Sequence, residues 1–388
     1  MKLVKSISLV VIISFTYLNI INLTPVISTD IESVDVTYLN RIGTGGDSFD
    51  VQVIDDIAYV TCGYVGLKIF NISIPQNLIE LGSLKEINLG SNTGYAHQFS
   101  IDFPFLYIGD GRGGLNIVNV SDPMHPSSVY HELGIYSWDV NILKRSGQKF
   151  ALVANGFQSQ GASLAIFNVT NSSDIFLINQ INTIGDITDL QIDQSTNNVY
   201  LMDVNAGLTV VNISSFENLE ILSKTPLNRY TGSIAIMNEL IFTVNYLGGL
   251  KIFNVSDPAN VTLIHEYSDK IKSGWDIKID PVRKLAFITD EDLGLKIFDI
   301  QNPLNPTFLQ EYADDSTRYN NVFVKGNRIY LNTNNGLTIL DLQIKNKSLV
   351  MSETTTTSKS VKEVGLYNVL LCFMSFYLIK RRFKSHRN

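Results

Sequence analysis

Cysteine is nearly absent from this chain of 388 residues: only Cys62 and Cys372 occur. A disulfide framework and a four-cysteine metal site are therefore both excluded. Histidine is scarce too, and His97, His125, His131 and His265 lack the short spacings that bring two imidazoles onto one metal. No HExxH stretch and no nucleophile elbow is present. The one glycine-rich run, Gly109-Asp110-Gly111-Arg112-Gly113-Gly114, joins two strand-like segments and opens no helix, so it cannot cradle phosphate on a helix N-terminus. Charged residues amount to only 17% against 45% hydrophobic, which excludes a disordered chain. The net charge is −7, and setting aside the seven basic residues of the two ends leaves −14 for the remainder. So acidic a body argues against nucleic acid as a partner.

The ends read as membrane-directed. Lys2 and Lys5 precede an apolar run from Ile7 to Leu23, and Val26-Ile27-Ser28 offers a cleavage site, so residues 1–28 read as a signal peptide. An uncleaved signal anchor is the alternative, because the run is long. At the other end a Thr/Ser-rich stalk (351–363) leads to an apolar segment (364–379), read as a transmembrane helix, and a basic cytoplasmic tail (380–388). Sixteen residues span about 24 Å of a roughly 30 Å hydrocarbon core, and snorkelling Lys and Arg make up the difference. The basic cluster stays cytoplasmic. These ends imply an exported body at the cell surface, held by a C-terminal anchor. The same spacer, apolar stretch and basic end resemble tails that prokaryotic sorting enzymes cut, so processing of the tail stays open.

Between the ends, one pattern recurs seven times. Its leucines are Leu67, Leu115, Leu164, Leu208, Leu250, Leu295 and Leu337. A period of 42 to 49 residues is that of a four-stranded propeller blade. The unit from Asp276 divides most clearly, with strands at 276–279, 285–289, 295–300 and 307–312, separated by Asp-Pro, Asp/Gly and Asn-Pro turns. Its second and third strands are near-continuously apolar, as when both faces of a sheet are covered. A linear solenoid would need polar end units, and the first and last copies are as apolar as the rest. The sequence therefore predicts an all-β, seven-bladed propeller of four-stranded antiparallel blades over 34–350. Residues 34–43 look like an orphan fourth strand, predicted to complete the seventh blade. The competing assignment gives that place to Gln343–Val350.

The third strand and its Pro turn, as in Leu115–Pro123, Leu250–Pro258 and Leu295–Pro303, resemble the LVIVD repeat family of β-propellers. The resemblance covers nearly all of 34–342. It implies a propeller on exported or surface proteins and names no reaction, since propellers host many functions.

Up-and-down topology puts the B–C and D–A loops on one face, called the top, and the A–B and C–D turns on the other. The residues predicted to open the innermost strands are Asp50, Ser100, Asp139, Asp189, Ser233, Asp276 and Asn321, a polar ring at the top mouth of the channel. Such oxygens suit Ca²⁺, with Asp139, Asp189 and Asp276 as ligands, or a polyol or cationic ligand. The structural alternative is a set of hydrogen-bonded ties between blades. Trp138 and Trp275 precede two ring aspartates, and His97 lies beside Ser100; these aromatics either stack on a sugar or peptide, or pack beneath the D–A loops. The B–C loops are polar, and Asn155–Ser163 is the longest. Sequons at Asn71, Asn119, Asn168, Asn212 and Asn254 coincide with the repeat's own turn, whereas Asn171, Asn260 and Asn346 are freer of it. The functional expectation is a membrane-anchored binding module, non-catalytic, taking a protein, glycan or small ligand on its top face. The alternative is a metal-assisted hydrolase or lyase using the carboxylate ring.

Overall fold

A computed structural model describes residues 31–85, 88–89, 92–156, 161–227, 231–246, 248–316 and 318–347. The signal peptide, stalk, transmembrane helix and basic tail read from the sequence lie outside these residues, as does the middle of the long third B–C loop.

Seven four-stranded antiparallel sheets follow one another along the chain. Blade 1 runs through Asp50–Ile54, Ile57–Thr61, Leu67–Asn71 and Ile79–Leu84, as strands A to D. The later blades open with strand A at Phe99–Asp102, Ser137–Arg145, Ile187–Asp193, Thr231–Met237, Gly274–Asp280 and Tyr319–Lys325. Strands A of neighbouring blades contact one another, so they line the axis. Blade 7 is closed by the N-terminal strand Ile31–Ile42, which pairs antiparallel with Gly336–Asn346 from Ile31↔Asn346 to Ile42↔Leu337. The predicted clasp is therefore present, and Gln343–Asn346 extends strand C instead of forming strand D.

Apolar runs in strands B and C are covered on both faces. The buried residues fall into seven clusters, and each takes side chains from two adjacent blades. Val51, Val53 and Phe70 meet Leu337 and Ile339 across the closure between blades 1 and 7. A seam at every interface, including that one, is what a ring has and an open stack lacks.

The repeat residues have local causes. The glycine before the leucine takes a left-handed φ, +84° at Gly294, and a Cβ there would lie 2.2 Å from Tyr312 O at the end of strand D. In six blades glycine lets strand D close over the B–C turn in this way, and in blade 3 Ser163 stands there instead. The Asn or Asp ending strand C accepts the amide two residues on: Ser73 N to Asn71 at 2.9 Å, Ser256 N to Asn254 at 2.8 Å, Gln301 N to Asp299 at 2.8 Å. These Asx turns explain the repeated sequons as architecture. Lysines of strand C pair with glutamates of strand D in blades 1, 5 and 6 (Lys68–Glu80, Lys251–Glu266, Lys296–Glu311). Among the described residues there is no helix long and apolar enough to cross a membrane.

Candidate functional site

Every strand A begins with a β-bulge, in which two residues face one residue of strand B. Phe49 and Asp50 face Thr61, and His97 and Gln98 face Gly109. The same step lies at Trp138/Asp139, Thr188/Asp189, Gly232/Ser233, Trp275/Asp276 and Asn320/Asn321. A bulge turns its extra residue out of the alternation. The first of each pair is aimed at the channel mouth, and the second stays within the sheet.

The second residues form the predicted ring, with one correction. In blade 2 the ring position is Gln98, whose carbonyl accepts Gly109 N at 2.9 Å, and Ser100 lies two residues further along the strand. The Ser100-Ile101-Asp102 alternation is a genuine strand, but its bulged start is not visible in the pattern. The other six side chains are all buried. Most of them stitch one blade to the next. Asn321 accepts Val51 N at 3.2 Å, Asp50 accepts Phe99 N at 3.1 Å, and Asp139 accepts Leu190 N at 3.1 Å. Asp189 accepts Ile234 N at 2.9 Å, while Asp276 accepts Val322 N at 3.0 Å, Asn321 Nδ2 at 2.8 Å and Ser233 Oγ at 2.8 Å. All of them cross blade seams, and those to ionised carboxylates are charge-assisted.

One layer below, Lys278 reaches into the ring, its Nζ 3.4 Å from Asp276 Oδ1. The side chain keeps 34% exposure because it stands in the open channel, although protein surrounds it laterally. Burial would depress this ammonium, but Asp276, Asp50, Asp189 and Asp139 together hold it above its ordinary value. Burial raises Asp50 to about 7 despite the opposing field of Lys278. Burial, then the charge of Asp189, pushes Asp139 well above the carboxylate range, and burial raises Asp189 as well. An internal lysine thus supplies positive charge among the carboxylates. Among the described residues no group of three or more His, Cys, Asp or Glu side chains is placed to hold a metal ion.

The bulged residues make a different surface. Around the mouth they are Phe49, His97, Trp138, Thr188, Gly232, Trp275 and Asn320, lining a cavity of about 170 Å³. Above it the cavity widens to about 490 Å³, with Tyr64, Tyr95, Tyr136, Arg112, Arg318, Asp47 and Glu291 on its walls. Blades 1 to 3 contribute a continuous aromatic wall. His97 packs 4.3 Å from Trp138 and 4.8 Å from Tyr95, and Tyr95 meets Phe49 and Tyr64 edge-on. Gly63 and Gly111 lie against Tyr95, where a Cβ would come within 2.9 and 3.0 Å of its side chain. Burial takes the His97 imidazole down to about 3 and the Tyr136 phenol up to about 12, so both are neutral at physiological pH. Trp275 stands on the far side of the mouth, 44% exposed, and Tyr64 is 67% exposed at the rim. Arg318 bridges Asp47 and Glu291 at 3.2 and 3.6 Å.

The B–C loops are less available than their polarity implied. Asp203 and Asp290 are fully buried. Asp290 accepts Lys272 N and Ser273 N through one oxygen and caps its own turn through the other. Asp203 does the same with Ile184 N and with Asn205 N and Ala206 N. In blade 2, Asp110, Asn116, Ser128 and His131 form a polar network in place of the Lys–Glu pair. Ser128 donates there to Asn116 Oδ1 at 2.8 Å. Cys62 is buried, with its thiol pushed up to about 12, as a small core side chain.

The LVIVD repeat model matches residues 45–86, 93–131, 283–314 and 319–357, which fall on blades 1, 2, 6 and 7. No curated protein sequence matches the chain. Among solved structures, the computationally designed Ika8 protein superposes with a TM-score of 0.53 at 11% identity, over 76% of this chain and 83% of that one. At that identity the likeness concerns the fold alone. With four stretches that match the LVIVD repeat in a closed ring of seven blades, the chain is a seven-bladed β-propeller that carries LVIVD repeats.

Proposed function

We propose that the protein is a membrane-anchored, cell-surface binding module that takes a saccharide at the top mouth of the propeller without altering it chemically. The observation that carries this reading is the contrast between the two bulge positions. The ring position repeats a polar residue and, at six of the seven blades, spends it on bonds between blades. The position before it holds no common chemistry: Phe, His, Trp, Thr, Gly, Trp and Asn occupy it in turn. Architecture demands repetition, so the variable position is where recognition is free to reside.

The cavity favours a sugar over a protein surface. About 490 Å³ of concave space suits a ring or two of a small ligand, whereas a protein partner needs a face of roughly 800 Å². Trp275 and Tyr64 offer apolar faces for stacking, with Asn320, Glu291 and Arg318 beside them for hydroxyl groups. The hydrolase or lyase reading is weaker, because the ring carboxylates are buried and engaged in bonds between blades.

A glycan array probed with the full chain tests the proposal. Binding of a defined saccharide is expected, with Trp275→Ala and Tyr64→Ala each lowering affinity about tenfold or more, the scale of losing one stacked aromatic. Absence of any bound glycan, or binding that survives both substitutions, would overturn it.

A further inference from the structure

The propeller releases both of its ends from one face. Strand C of blade 7 descends from the top and ends at Asn346, and the N-terminal strand begins beside it at Ile31. That bottom face also carries every A–B and C–D turn. The apolar segments of the sequence at 7–23 and 364–379 are thus joined to the bottom through residues 24–30 and 347–363. Several turn tips there are apolar, although turns normally carry polar residues. Ile74, Phe103, Met124, Val282 and Leu304 are 57, 56, 59, 89 and 60% exposed. They lie in blades 1, 2 and 6, and Lys144 and Lys149 stand close to Phe103 through their bonds to Asp102.

We propose that the bottom face rests on a lipid bilayer, its apolar turn tips entering the headgroup boundary, so that the saccharide mouth points away from the membrane. This rests on the membrane-anchored reading above. Seventeen residues separate Asn346 from the apolar segment at 364, and any flexible chain of that length has an end-to-end distance of roughly 20–25 Å. A tether of that reach holds the bottom face near the surface at an effective concentration of order millimolar, so a weak contact suffices. Apolar side chains with lysines beside them have the composition of an interfacial contact.

Both native tryptophans, Trp138 and Trp275, stand at the top mouth, which supplies an internal control. The full chain is reconstituted into phosphatidylcholine–phosphatidylglycerol vesicles carrying brominated acyl chains, as wild type, Phe103→Trp and Leu304→Trp. About half of the added emission is expected to be quenched in either variant, as for a ring within ~10 Å of the acyl boundary, with wild-type emission unchanged. Quenching of the native tryptophans would place the propeller upside down and overturn the proposal. Co-flotation with vesicles but no quenching of either added tryptophan would overturn the docking and leave the anchor standing. Failure to co-float at all would remove the anchored reading and the docking with it.

Discussion

At the scale of single residues, the channel is governed by one ammonium among four carboxylates. Asp50, at about 7 in the folded protein against 3.8 unfolded, favours the fold fully below pH 4 and loses that contribution as pH rises toward 7. Asp139 and Asp189 act in the same sense. Asp314, held down by its hydrogen bonds and Arg41 against burial, acts oppositely, and its contribution is lost only as pH falls below about 4. The raised Lys278 keeps its contribution until strongly alkaline pH. Urea unfolding is therefore expected to show maximal stability near pH 5 and a decline by pH 8. Lys278→Met should cost about 2 kcal/mol at pH 8, discounted from the ~3–5 kcal/mol of a dry pair because a third of the side chain is exposed. The cost should shrink at pH 5, where fewer carboxylates are charged; an equal loss at both values would contradict this. The ring was legible in the sequence at six of seven positions, because a polar residue opens an apolar strand there. Gln98 was missed because Ser100, two residues further on, also opens a polar–apolar alternation.

At the scale of the strand, the N-terminal clasp converts a chain end into an interface. It contributes Ile31 and Val34 to the seam between blades 6 and 7. Arg41 ties its far end to Asp314 and, at 3.0 Å each, to Asp315 and Thr338. Val34→Asp buries an unpaired charge and should cost more than about 3 kcal/mol, while Arg41→Ala should cost about 1–2 kcal/mol, both read as shifts in the urea midpoint. Gly294→Ala must force a Cβ against Tyr312 O and should cost about 1–3 kcal/mol; a neutral result would mean that strand D moves aside freely. The leucine, the glycine and the Asn-Pro turn were readable because each answers a local demand that recurs from blade to blade: the leucine in all seven, the glycine in six. The buried roles of Asp203 and Asp290 were not, because a loop aspartate looks the same whether it faces solvent or backbone amides of the neighbouring loop.

At the scale of the whole molecule, seven apolar seams of similar make support one another around the ring. Fluorescence of Trp138 and Trp275 and far-ultraviolet dichroism should therefore report coincident unfolding, and separated transitions would show that the ring opens before its blades melt. Because Lys278 already neutralises part of the channel, adding a chelator should leave the melting temperature within about 1 °C, whereas a stabilising site at a hundredfold excess of Ca²⁺ over its Kd would contribute about 2.7 kcal/mol.

The pairing of Ile31–Ile42 with Gly336–Asn346 also sets an order of events during synthesis. The first strand to leave the ribosome must wait for a partner made roughly 300 residues later, some 15–60 s at ordinary elongation rates. Through that interval its edge is an open template on which another chain can pair first.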